Sequence, residues 1–171
     1  VRTLSLLGQE VPFGTNLLFC CRELPEYKLA VEICEDLWVA APPSTRHAMA
    51  GATVIANCSA SDETIGKAEY RRSLVTGQSA RLMAGYLYAD AGRGESTTDM
   101  VFAGHDLIAE NGKLLAETAL FTNDLILTEL DVHRLFAERR RTTTWPAAET
   151  SGYTMVPFSL PMGETTLTRF I

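Results

Sequence analysis

A buried strand, an amphipathic helix and a second buried strand follow one another in the middle of this chain, and that succession leaves few folds open. Residues 52–57 read as a buried strand. Over residues 67–85, Ala68, Leu74, Val75, Ala80, Leu82 and Met83 leave an apolar helix face, while Arg71, Arg72, Gln78 and Arg81 lie elsewhere. A further strand at 86–91 follows at once. This pattern predicts an α/β fold with a parallel or mixed sheet, and it excludes an all-α bundle.

The flanking sequence extends the same architecture. Strands are expected at 3–7, 16–21 and 28–33, punctuated by Pro12, Gly14 and Pro25. Pro42-Pro43-Ser44 stops the chain and offers Ser44 as the N-cap of a short helix through Ala50, with Gly51 as the residue beyond its end. Apolar residues at 101–102 and 107–109 lead into Glu110-Asn111-Gly112-Lys113, a type I′ hairpin turn, from which 114–117 returns. A strand at 125–130 and a helix at 132–140 complete the pattern. From Arg141 the composition predicts an extended tail whose Trp145, Val156, Phe158 and Leu160 lie against a surface.

With 171 residues, 46% hydrophobic and 21% charged, the chain can bury one sizeable core. A formal charge of −6 gives no general attraction for nucleic acid, and the basic run Arg139-Arg140-Arg141 reads as a solvated helix end. No stretch approaches the roughly 20 apolar residues that span a bilayer. The expectation is a soluble, cytoplasmic protein that binds neither nucleic acid nor membrane. The four cysteines form no CxxC pair and read as reduced thiols. A first residue other than Met points to a piece of something longer.

Cys34 is the position with the most chemical content. It ends the apolar run Val31-Glu32-Ile33 and precedes Glu35-Asp36-Leu37-Trp38, the pattern of a nucleophile elbow in which the next backbone N–H can stabilise an oxyanion. The alternative is a small buried hydrophobe, the usual fate of a free cysteine. Cys20, Cys21 and Cys58 take that structural reading. His47, His105 and His133 stand apart from one another with no metal-ligand spacing, so Cys34 lacks an obvious histidine base and no metal site is expected.

Residues 59–67 join a buried strand to the long helix, at the sheet edge where α/β ligand sites form. Ser61 and Lys67 there suit a zwitterionic or anionic substrate. Equally, Ser61 and Thr64 suit helix capping and Lys67 a solvated helix position. The run Gly92-Arg93-Gly94-Glu95-Ser96-Thr97-Thr98-Asp99 matches neither a Walker A sequence nor GxGxxG and is not read as a phosphate cradle.

Taken in order, Glu32-Ile33-Cys34-Glu35-Asp36-Leu37-Trp38, Pro42-Pro43-Ser44, Asn57-Cys58-Ser59-Ala60-Ser61, Ile65-Gly66-Lys67, Ser79-Ala80-Arg81, Gly94-Glu95-Ser96-Thr97-Thr98-Asp99, Gly104-His105 and Glu110-Asn111-Gly112 resemble the nitrilase-type glutaminase domain of glutamine-dependent NAD synthetases. The resemblance implies a carbon–nitrogen hydrolase fold, an αββα sandwich of mixed sheets covered by helices. It implies a Glu–Lys–Cys catalytic set, with Cys34 as nucleophile on the side-chain amide of L-glutamine, Glu35 giving its backbone N–H to the oxyanion, and Ser61 and Lys67 binding glutamine. It leaves this chain without a cofactor of its own, and assigns ATP and Mg to a synthetase domain that amidates deamido-NAD.

The departure from the family is equally specific. Its catalytic Glu and Lys lie upstream of the cysteine, the Lys farther than the thirty-three residues before Cys34 allow, and Glu10, Glu23, Glu26 and Lys28 do not replace them. No SGGxDS-type loop follows. The expectation is therefore the carboxyl-terminal half of a glutaminase domain over residues 1–140, with 141–171 a tail toward an absent synthetase domain. Such a half should be inactive alone and should expose apolar surface that favours a homo-oligomer. Another nitrilase-superfamily amidase, or a non-catalytic module of the same fold, are the alternative readings.

Overall fold

The computed structural model describes residues 2–95, 99–161, 163 and 167–169. It opens with an exposed ribbon, β1 (Arg2–Leu6) antiparallel to β2 (Gln9–Phe13), turned by Leu7 and Gly8 at φ 51° and 76°. The second of these strands was not expected from sequence, because Pro12 reads as a breaker. In a two-stranded ribbon each strand is an edge, where a missing N–H is tolerated.

Next come β3 (Leu17–Cys21), β4 (Lys28–Ile33), a 3₁₀ turn over Cys34–Trp38, α1 (Pro43–Met49), β5 (Val54–Ser59), α2 (Lys67–Leu82) and β6 (Gly85–Asp90). The chain continues through the hairpin β7 (Leu107–Glu110) and β8 (Lys113–Glu117), then α3 (Val132–Arg141) and β9 (Thr154–Phe158). Seven strands form one mixed sheet in the order β8-β7-β6-β5-β4-β3-β9. The centre, β4-β5-β6, is parallel, and the flanking pairs β3-β4, β6-β7 and β7-β8 are antiparallel.

Register explains which side chains are covered. Ala30, Ile55, Tyr86 and Ala109 are partners across four strands, and all are fully buried in the core with Ala48 of α1 and Val75 and Leu82 of α2. Burying a side chain of the size of Val75 or Leu82 contributes about 1.5–3 kcal/mol. The opposite face carries Val31, Ala56, Leu87 and Ile108 in one row and Ile33, Cys58 and Ala89 in the next. There Val31 and Ile33 are 36% and 64% exposed, an apolar sheet face that the described residues leave open.

Several local expectations change. Ser44 does not cap α1: Pro42 holds the cap position, Pro43 begins the helix, and the Ser44 N–H donates instead to buried Glu32 at 2.7 Å. Helix α2 stops at Leu82 and not at residue 85, because Met83 turns left-handed at φ 44°. Its N-cap is Gly66, also left-handed, and Glu63 accepts the Ala68 N–H at 3.2 Å in the place expected of Ser61 or Thr64. Residues 125–130 form no strand; Leu125 and Leu127 alternate as a strand would but are 83% and 82% exposed, without a paired neighbour among the described residues. Conversely, β9 lies within the expected tail, parallel to β3 at the sheet edge, where Pro157 is tolerated. The Asn111–Gly112 turn is as read, with φ 46° and 87°.

Trp145 lies against the core, with the Arg139 guanidinium 4.7 Å from its ring centroid and donating twice to the Leu82 carbonyl, at 3.1 and 2.8 Å. No helix among the described residues is long and apolar enough to cross a membrane.

Gly104 joins the β6 and β7 regions at φ +56°, and a Cβ there would sit 2.5 Å from the Thr122 carbonyl oxygen and 3.2 Å from Gly92 Cα. Both contacts are backbone. Gly104→Ala is expected to lower unfolding stability by about 2 kcal/mol or more, measured by urea denaturation; an unchanged midpoint would contradict this packing.

Candidate functional site

Because β4, β5 and β6 run parallel, their carboxyl ends meet at one sheet edge, and three segments of chain leave from it. The first is the Cys34–Trp38 turn after β4, the second residues 60–66 after β5, and the third begins at Ala91 after β6. Between the first two lies a cleft of about 350 Å³ lined by Cys34, Glu35, Trp38, Ala60, Ser61, Asp62 and Lys67. The four residues singled out from sequence, Cys34, Glu35, Ser61 and Lys67, are thus brought together in one place.

Cys34 leaves the strand sharply. Its φ is 53°, in the left-handed region that favours glycine. The turn is locked from below by Asp36, which accepts the Ile33 N–H at 2.8 Å, and by Asn57, which accepts the Cys34 N–H at 3.0 Å. A buried polar column supports these contacts. Glu32, 1% exposed, accepts from the Tyr86 hydroxyl and from the Ser44 N–H, and Gln78 of α2 donates to the Ser44 hydroxyl at 3.0 Å. Burial and the adjacent Glu32 hold the Tyr86 hydroxyl far above its ordinary pKa, so it remains a donor.

The 60–66 loop is held by a buried arginine. Arg71, 0% exposed, donates to Ser61 Oγ at 3.0 Å, Glu63 Oε2 at 2.9 Å and His105 Nδ1 at 2.9 Å. The Ser61 N–H donates in turn to Asp90 at 2.7 Å, tying the loop to the end of β6, and burial raises the Asp90 pKa. At the cleft mouth Lys67 donates to Asp62 at 2.5 Å and lies 5.4 Å from the Trp38 ring centroid. The hydrogen bond from Lys67 is the main reason the Asp62 carboxyl is held below its ordinary range.

Sequence reasoning placed Arg71 off the apolar helix face, and it missed the anchoring roles of Asn57, Asp62 and Arg71. A signal for Arg71 was present: the buried positions of α2 are Arg71, Val75, Gln78, Ser79 and Leu82, a helical repeat that contains the arginine. For Asn57 the signal was a carboxamide in an otherwise apolar strand, which burial obliges to find partners. Cys58, read as structural, is exposed on the open sheet face and lies outside the cleft. Ser96, Thr97 and Thr98 of the Gly/Ser/Thr run lie outside the described residues.

His105 completes the Arg71 network. An arginine only donates, so Nδ1 accepts and the imidazole proton sits on Nε2, 3.6 Å from Glu117, which Arg72 grips at 2.8 and 3.2 Å. Burial first, and Arg71 second, hold the His105 pKa below its ordinary value; burial does the same to His47. A histidine that binds its proton less readily when folded makes the unfolded state the better proton acceptor, so stability falls as pH drops below about 6.5. The urea midpoint is expected to fall between pH 7.5 and 5.5, and His105→Gln to flatten part of that slope. A pH-independent midpoint over this window would contradict the neutral, buried imidazoles. The depressed carboxyls of Asp62 and Glu117 act lower, as they protonate below about pH 4.5.

No protein-family model matches the chain. Over 145 residues it is 49% identical to the glutamine-dependent NAD(+) synthetase of Mycobacterium tuberculosis, covering 84% of this chain and 21% of that protein. It therefore spans about a fifth of the length of this relative. The crystal structure of a glutamine-dependent NAD(+) synthetase from Cytophaga hutchinsonii matches with a TM-score of 0.59 at 31% identity, covering 72% of this chain and 19% of that one. A nitrilase-superfamily protein of Saccharomyces cerevisiae, at 20% identity and a TM-score of 0.58, covers 68% of this chain and 42% of its own and shares the fold. By sequence the chain is similar to one segment of the glutamine-dependent NAD(+) synthetases, and its fold is like that of a nitrilase-superfamily protein.

Proposed function

We propose that this chain carries the cysteine half of a glutamine-hydrolysing site. The observation that supports the reading best is the convergence of Cys34, Glu35, Ser61 and Lys67 on one cleft at the carboxyl edge of the parallel strands. The Cys34 sulfur attacks the side-chain amide carbon of glutamine, and the carbonyl π electrons move onto oxygen. The Glu35 N–H, first in the turn after the nucleophile, meets that oxyanion. Collapse breaks the C–N bond, and the leaving nitrogen takes a proton to depart as ammonia. A γ-glutamyl thioester remains. Water then adds to its carbonyl and expels the thiol, giving glutamate and regenerating Cys34.

The far end of glutamine is a zwitterion, and the cleft mouth offers both charges it needs. Lys67 suits the α-carboxylate and Asp62 the α-ammonium, so substrate exchanges the Lys67–Asp62 pair for two pairs of its own. Ser61, held by Arg71, contributes a hydroxyl to the same cleft.

In this reading the general base and the cationic oxyanion donor are a Glu and a Lys from upstream of these 171 residues. The ammonia passes to a synthetase domain that uses ATP and Mg to amidate deamido-NAD to NAD. The open sheet face with Val31 and Ile33 is covered by the remaining layers of the sandwich.

The test is glutamate release by a polypeptide extended upstream through the coding sequence. Hydrolysis is expected there, with Cys34→Ala lowering kcat by about 10³-fold or more and Lys67→Ala acting mainly on KM. Hydrolysis that survives Cys34→Ala would overturn the assignment.

A further inference from the structure

We infer that Asn57 is the positioning residue of the nucleophile: its carboxamide forms a reciprocal pair with the peptide groups of Cys34 and holds that residue in its left-handed conformation. The inference rests on the glutaminase reading for its catalytic meaning and on geometry alone for the clamp.

Asn57 is 1% exposed and faces Glu32 across the β4–β5 ladder, two residues before the cysteine. Its Oδ1 accepts the Cys34 N–H at 3.0 Å, and its Nδ2 donates to the Cys34 carbonyl at 3.2 Å. The remaining lone pair and proton are also used. Oδ1 accepts from the Ser59 hydroxyl at 2.9 Å, and Nδ2 donates to the Tyr86 oxygen at 3.3 Å. All four hydrogen-bonding positions of the carboxamide are thereby filled, which fixes its orientation. The Tyr86 O–H already donates its hydrogen bond to Glu32, so only a donor fits opposite the Tyr86 oxygen.

The consequence is specific to the side-chain type. A non-glycine residue at φ 53° is strained and persists only where its surroundings over-determine it. A single acceptor at position 57 would secure the Cys34 N–H but leave its carbonyl free to rotate. The reciprocal pair fixes both peptide planes, and with them the direction of the sulfur and of the next N–H, that of Glu35. Displacement of a nucleophile by about 1 Å can cost 10²-fold in rate.

Two variants separate the elements of the clamp. Asn57→Ala removes both bonds; Asn57→Asp is isosteric and keeps the acceptor, but sets an oxygen against the Cys34 carbonyl. In the upstream-extended protein, hydrogen exchange of the peptide carrying the Cys34 amide should speed at least 10-fold in Asn57→Ala and stay protected in Asn57→Asp. For both variants, alkylation of Cys34 by a γ-glutamyl electrophile should fall at least 10-fold relative to its alkylation by iodoacetamide. The far-UV circular dichroism of both variants should not change, which reports an intact sheet. Unchanged exchange in Asn57→Ala, or a γ-glutamyl-to-iodoacetamide ratio that both variants leave at the wild-type value, would overturn the inference. A wild-type Cys34 with no preference for the γ-glutamyl reagent would instead overturn the glutaminase reading, and the exchange arm alone would then decide the clamp.

Discussion

The chain reverses direction at Cys34, and the site depends on how that reversal is held. A left-handed non-glycine residue at the end of a buried strand is unfavourable by itself. It persists because the polar row one step inside the sheet edge, Glu32 on β4 and Asn57 on β5, is aligned in register and closed from above by the Tyr86 hydroxyl. Each member of this column satisfies the next, so burying it costs little more than the ordering of its side chains. Were Asn57 apolar, Cys34 would keep its place in the chain and lose its direction.

The second wall of the cleft follows the same logic with charge in place of dipole. A guanidinium buried to 0% exposure is costly unless it is paired and hydrogen-bonded, and Arg71 finds Glu63, Ser61 and His105 around it. Its partners come from the loop after β5 and the segment before β7, so it ties two stretches of chain that the sheet alone would leave separate. One wall is thus anchored by a carboxamide on a strand and the other by a cation on a helix. Between them lie the sulfur and the Lys67–Asp62 pair.

Much of this was legible in the sequence. The elbow was readable because the apolar run ends at Cys34, and the long helix because its apolar positions repeat at helical spacing. The Asn-Gly turn has its own chemistry. Ribbon strand β2 and edge strand β9 were not legible, since both contain a proline and edge pairing hides from local pattern. Residues 125–130 failed the other way: Leu125 and Leu127 alternate as strand residues do, yet among the described residues they find no pairing strand and stay exposed. The anchors Asn57 and Arg71 escaped because each is a polar residue at a core position, where its meaning depends on partners tens of residues away. Histidine, the base a cysteine usually recruits, is present at residue 105 and is spent instead on supporting Arg71.

In the proposed reaction the Cys34 sulfur is the atom that bonds to substrate, and a trapped intermediate tests that most directly. The upstream-extended protein, mixed with L-glutamine and quenched in acid within its first turnovers, should carry one γ-glutamyl group on the peptide containing Cys34, detected by mass spectrometry and absent from Cys34→Ala. Hydrolysis that proceeds with no adduct on Cys34, or with the adduct on Cys58, would contradict it.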